Sequence, residues 1–279
     1  MFELLQQPFV QIGILVSLVL AGIHAYLGFH VVSRGVIFVD LSLAQAAAFG
    51  YVIALIYGLG EHGIYSYFVS LVFTMAGALL VSISRVKKDK IPHEAFIGII
   101  YAGFASLAIL FLSNHPEGME IVQEITNGSI LTCSITELIT IAVLYSVVGM
   151  FHYIHREKFF LISKDREAAR KQGINVTLWD FLFYASFGLV VTSSVHIAGV
   201  LMVFALLVVP PVFALIYTDT QTKRLALGWS VAVVGALIGI HFSLIADFPT
   251  GPSIIIALIF LLITGVITKK LFGSKLKMK

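Results

Sequence analysis

Eight polar side chains interrupt the long apolar runs of this 279-residue chain: His24, His30, Asp40, Gln45, Glu94, His196, His241 and Asp247. Imidazole, carboxylate and amide oxygen are donors that a borderline divalent cation accepts, and polar groups inside apolar runs mark a pathway or a hydrogen-bond network. His24, Asp40 and His196 are the candidate metal ligands. Together with Gln45 and Asp247 they are the candidate cargo path. Each also has a plainer reading. Asp40 precedes a small-residue helix and is equally an N-cap. Asp247, in the run DFPTGP, caps the next helix or meets a solute. His30 and Arg34 stand near a span end, where backbone or lipid headgroups would take their hydrogen bonds.

Spacing argues against catalysis. His93 and Glu94 are adjacent and do not share a helix face, while His152 and His155, at i and i+3, sit beside Arg156 and read as membrane-edge residues. No HExxH, no GxSxG, no paired carboxylates at helical spacing and no ordered Ser, His and Asp occur. GxxxxGK[ST] is missing too, so the chain binds no ATP through a phosphate loop, and energy from hydrolysis would come from another subunit. The one cysteine, Cys133, forms no internal disulfide and no thiolate cluster.

The elements that hold these residues follow from composition. Hydrophobic residues make up 59% of the chain, charged residues 12%, and mean hydropathy is +0.99. That leaves too little polar surface to solvate a globule. The expected class is an all-α integral membrane protein, a polytopic bundle of eight to nine transmembrane helices near 10 to 33, 39 to 59, 64 to 84, 94 to 113, 135 to 155, 177 to 195, 197 to 218, 225 to 246 and 250 to 268. The sixth and seventh are parted only by the polar residues from Ser193 to His196. Lys and Arg fall at Arg34, 85 to 90, 156 to 171, 223 to 224 and 269 to 279. Positive charge stays on the cytoplasmic side, which places the N-terminus outside and the C-terminus inside. Glu3, Glu61, Glu117, Glu120, Glu124 and Asp247 occupy the outer turns. The net charge of +3 is accounted for by topology and lipid headgroups, not nucleic acid. The N-terminus lacks the basic region and cleavage site of a secretory signal, so its apolar stretch is expected to remain as a span.

Small residues recur at helical spacing: Ser17, Ala21, His24 and Gly28; Ala44, Ala46, Ala47, Ala48 and Gly50; Gly228, Ala232, Gly235 and Gly239. They let helix backbones approach closely in lipid. The longest cytoplasmic connection, about 156 to 176, has room for one short helix. Within it DREAARKQGINV is helix-prone from Asp165 to Gln172, with Asp165 able to cap the start and Gly173 the end.

Several segments together resemble one family, the integral-membrane permeases of the ABC-3 class. They are HVVSRGVIFVDLSLAQAAAFG (30 to 50), PHEAFIGIIYAGFASLAILFLS (92 to 113), KDREAARKQGINVTLWDFLFYASFGLVV (164 to 191), GVLMVFALLVVPPVFAL (199 to 215) and ADFPTGPSIIIAL (246 to 258). The resemblance implies one transmembrane permease domain over 1 to 279 with a type II importer-like fold. It also implies a coupling helix at about 164 to 175, with Asp165, Arg166, Glu167, Arg170 and Gly173 against a partner ATPase. Implied with these are a homodimer, cytoplasmic P-loop ATPase subunits that use the ATP, an extracellular or periplasmic solute-binding protein, and a place in the bacterial plasma membrane. The implied cargo is a divalent zinc, manganese or iron ion, and no cofactor is bound by the chain itself. One departure stands out: the family's second span carries an Asp and a His four residues apart, and here those positions are Leu41 and Gln45. Asp40 is displaced by about 100° around the helix, so a metal chelate is the alternative cargo. An intramembrane enzyme using His24, Asp40 and His196, and a carrier that needs no ATPase, are the alternatives from other classes.

Overall fold

The computed structural model describes residues 6–59, 63–84, 91–113, 115–128 and 130–272, and the regular structure among them is helical. In chain order the helices are α1 (Pro8–Arg34), α2 (Val39–Ile56), α3 (Ile64–Ile83), α4 (His93–Leu112), α5 (Gly118–Asn127), α6 (Ile135–Ile154), α7 (Arg156–Lys164), α8 (Arg166–Lys171), α9 (Val176–Tyr217), α10 (Gln221–Ala246) and α11 (Thr250–Phe272). Eight of them, α1 to α4, α6 and α9 to α11, are long and apolar enough to cross a membrane. About 20 residues at 1.5 Å each match the hydrocarbon thickness.

Local chemistry sets the ends. Pro8 opens α1, where its missing N–H costs nothing. At the start of α6, Ser134 and Glu137 form a capping box: the Glu137 carboxylate accepts from Ser134 N at 2.8 Å, and Ser134 Oγ accepts from Glu137 N at 3.2 Å. α10 ends on Asp247, whose φ of 53° makes it the positive-φ non-glycine residue of the described chain.

α9 corrects the boundary expected at Ser193 to His196. Those residues stay helical because their hydroxyls are satisfied by their own helix: Ser193 Oγ donates to Leu189 O at 3.1 Å and Ser194 Oγ to Val190 O at 2.7 Å. The break falls at Gly199, with φ 74° and ψ 158°, backbone angles that suit glycine almost alone. It leaves two span-length pieces, Val176 to Ala198 and Val200 to Tyr217. Two further elements were not foreseen. The 113 to 135 connection carries the amphipathic α5, and the 156 to 176 connection holds two short helices, α7 and α8, instead of one.

Contacts gather the chain into two compact units, one of Met1–Val32, Ser129–Ala142 and Leu201–Lys279, the other of Ser33–Gly128 and Val143–Val200. In the first, Pro211 has no N–H to give the carbonyl of Leu207. Gly28 of α1 packs against that carbonyl so closely that any side chain there would overlap it. The glycine stripe of α10 works the same way, Gly239 meeting the Ile254 backbone and Gly235 the Leu258 side chain. Trp229 Nε1 donates to Gly22 O at 2.9 Å.

In the second unit, α2 packs on α3 through Gly50 against Ser70 and through Ala46 and Leu43 against Gly77. Phe49, Tyr51 and Val52 of α2 share a core cluster with Ala108 and Leu112 of α4 and Ile121 of α5. The break at Gly199 rests on Gly128, the two backbones touching where neither has room for a Cβ.

Candidate functional site

The small-residue face of α2 turns inward, and Asp40, Leu43, Ala44, Ala47 and Val52 are buried. Asp40 is not the N-cap. α2 begins at Val39 with Phe38 in the cap position, and Asp40 stands inside the first turn, making no cap bond. Both of its carboxylate oxygens are buried without a hydrogen-bond partner among the described residues. An acidic group suits the positive end of a helix dipole, yet a buried carboxyl without a donor is costly. Asp40 is therefore the position on this helix that a passing cation would relieve most.

Leu41 and Gln45 lie on a different face, half-buried. Leu41 lines a cleft of about 540 Å³ with Phe38, Glu94, Ala95, Gly98 and Tyr101. Glu94 is the acidic group there, and its Oε1 accepts from Ile37 N at 2.8 Å, pinning the turn between α1 and α2. Leu41 thus faces an open, largely apolar cleft while Asp40 faces the packed side.

The other candidates are dispersed. His24 is buried and its Nδ1–H donates to Leu20 O at 2.8 Å on its own helix. His196 is half-buried with its ring edge-on to Tyr51, centroids 5.1 Å apart. Asp247 is exposed and closes α10, so it does not cap the following helix. Among the described residues no group of three or more His, Cys, Asp or Glu side chains is placed to hold a metal ion.

Histidines expected at the membrane edge are partly elsewhere. His152 is buried, stacked on Phe159 at 4.3 Å and bonded through Nε2 to Ser186 Oγ at 2.8 Å. His155 Nδ1–H donates to Phe151 O at 3.0 Å. His30 is buried against Tyr26 and Phe29, ring edges to faces. Arg34 leaves the headgroups altogether. Its guanidinium is fully buried, donating from Nη1 to Asp180 Oδ1 at 2.9 Å and from Nε to Ser163 Oγ at 2.9 Å, 4.0 Å above the Phe183 ring.

α8 carries the expected coupling residues. Asp165 Oδ1 accepts from Ala168 N at 2.9 Å as N-cap, and Gly173 turns the chain with φ 78° while its N–H reaches Arg170 O. Ala169 is buried with Ile162 and Val176. Glu167, Arg170, Lys171 and Gly173 face outward, and Arg166 turns in to the Asp180 carboxylate. Sequence reasoning missed Asp180, Tyr145 and Thr74. Tyr145 and Ser194 share a 2.6 Å hydroxyl bond, and Thr192 donates to Thr74 Oγ1 at 2.9 Å, giving α9 polar ties to α6 and α3. Asp180, in WDFLF, stood at a span edge where an acid looks solvated.

Comparison with known proteins agrees with this architecture. The manganese transport system membrane protein MntC of Listeria monocytogenes is 24% identical over 255 residues, covering 91% of this chain and 88% of the relative. The chelated iron transport system membrane protein YfeD of Yersinia pestis is 26% identical, covering 89% and 82%. In fold, the chain is similar to PsaBC of Streptococcus pneumoniae, solved with a Fab, at TM-score 0.80 and 18% identity over 95% of this chain and 93% of that one. It is also similar to an inward-facing ABC transporter assigned to the metal-chelate type, at TM-score 0.72 and 19% identity over 94% and 86%. The model of the ABC 3 transport family matches residues 6–269, and with eight apolar helices in that span the chain belongs to this family of membrane proteins.

Proposed function

We propose that this chain is the membrane-spanning permease subunit of an ATP-binding cassette importer for a divalent transition metal ion. The family match along residues 6–269 carries the reading, and relatives named for manganese and for chelated iron transport supply the cargo class. ATP is hydrolysed by separate cytoplasmic P-loop subunits, since this sequence has no phosphate loop. They grip α8 through Asp165, Glu167, Arg170 and Gly173, with Arg166 behind them. Residues 1 to 279 act as one permease domain in the bacterial plasma membrane, C-terminus inward. Two copies pair around the path, and an extracellular or periplasmic binding protein delivers the cargo. Asp40 is the anionic contact, with His24, Gln45, His196 and Asp247 as further stations. Hydrolysis closes the ATPases, moves α8, and tilts the spans between outward and inward access.

One observation favours a metal chelate as the second reading. Leu41 offers no ligand, and the cleft it lines, about 540 Å³, is far larger than a bare ion.

Radiolabelled manganese uptake into vesicles holding the permease, its ATPase and its binding protein tests both. For a free ion, Asp40→Asn lowers uptake by about tenfold or more, the ratio that ~1.4 kcal/mol of lost ligation produces, while Gln45→Ala is mild. For a chelate, Asp40→Asn is mild and Gly98→Leu, in the lining of the cleft, blocks uptake only when chelator is present. Uptake that needs no ATPase would sink the importer reading.

A further inference from the structure

We infer that Asp180 is a positioning residue that fastens the coupling helix to the membrane helices, so that motion delivered to α8 reaches α1 and α9 as one piece. The inference rests on the permease reading above. Asp180 lies one turn into α9 with its side chain only 7% exposed. Oδ1 accepts from Arg34, the last residue of α1, and Oδ2 accepts from Arg166, the first residue of α8. Arg34 also holds Ser163 in the last turn of α7 at 2.9 Å. Four helices therefore meet within two bonds of one carboxylate.

α8 cannot orient itself. It has six residues, far below the length at which a helix is stable alone. Among the described residues its neighbouring contacts include the small apolar patch of Ala169, Ile162 and Val176, with Leu161, Ile174 and Trp179 beside it, and its own caps. An apolar patch resists separation but allows sliding, because the hydrophobic effect is not directional. A charge-assisted hydrogen bond in a dry site fixes direction. The ion pair is thus the part of this contact that transmits a pull or a tilt.

The test compares Asp180→Asn, Asp180→Glu and the double variant Arg34→Leu with Asp180→Leu, each reconstituted with the ATPase and binding protein. Radiolabelled manganese uptake and ATP hydrolysis are read in the same vesicles. Asn keeps the shape but removes the charge that holds Arg166. Glu keeps the charge, and the double variant removes both buried charges so that the chain still inserts. Asp180→Asn and the double variant are expected to keep the ATPase bound, yet to move about tenfold less metal per ATP, within the range of a site-to-site coupling. Asp180→Glu is expected to recover most of that ratio. Metal moved per ATP within twofold of wild type in both charge-removing variants overturns the inference. So does a fall of uptake and hydrolysis in equal proportion, which marks Asp180 as merely structural. A wild-type chain that neither binds the ATPase nor stimulates it overturns the permease reading itself, and is told apart by failing before any substitution is made.

Discussion

Cys133 stands just before α6, where burial first and the neighbouring Glu137 second push its thiol up to about 11. A raised value means that the thiolate is scarce at neutral pH and appears only as pH climbs. Alkylation of Cys133 should be slow at pH 7 and keep accelerating beyond pH 9, and Glu137→Gln should move the rise to lower pH. A rate that levels off near pH 9 in the unaltered chain would contradict this. At this scale the sequence reveals which residues are chemically able and little about where they point. Asp40 could be singled out because a lone acid in an apolar run is rare, but its full burial depends on tertiary packing that no local pattern encodes. Arg34 could not be paired from sequence, since its partner lies 146 residues away.

Among the elements, the break in α9 depends on two glycines in backbone contact, Gly128 and Gly199. Valine at 199 would meet a positive-φ, extended-ψ region that is essentially glycine-only, costing ~1–3 kcal/mol, and would also push into the Asn127 and Gly128 backbone. Gly199→Val should therefore lower the melting temperature in detergent by several degrees or prevent accumulation in the membrane. Gly149 of α6 has open space where a Cβ would go, and Gly149→Ala should leave the melt unchanged or raise it, since glycine inside a helix costs ~0.5–1 kcal/mol relative to alanine. Equal losses from both would mean that the glycine contact is not special. Span-length helices were legible from hydropathy alone, because lipid leaves a helix few other ways to satisfy its backbone. α5 and α7 were not, since each is short, amphipathic and set by the helices it lies on. The break was misplaced because serine and threonine look like interruptions in a sequence yet bond to their own helix.

For the whole molecule, the Lys and Arg distribution predicts which turns face outward and which inward. In a Cys133→Ser background, a cysteine at exposed Glu117 should label only from outside and one at exposed Lys171 only from inside; labelling of both from one face would reverse the assignment of one half. The cluster at 85 to 90 and the tail beyond 272, which supply much of that positive charge, lie outside the described residues. The grouping of the chain into two interleaved units was not legible, because it depends on which long-range pairs form and not on any local pattern. One such pair bears on how the protein is made. A ribosome adds about 5–20 residues per second, so the 146 residues between Arg34 and Asp180 take on the order of ten seconds. Throughout that time the finished first helix carries a guanidinium whose eventual anion does not yet exist. Early spans must wait in the bilayer with the Arg34 end of α1 unlocked, open to the proteases that police unfinished chains. Release from that vulnerability comes in a single event, when the sixth long helix arrives.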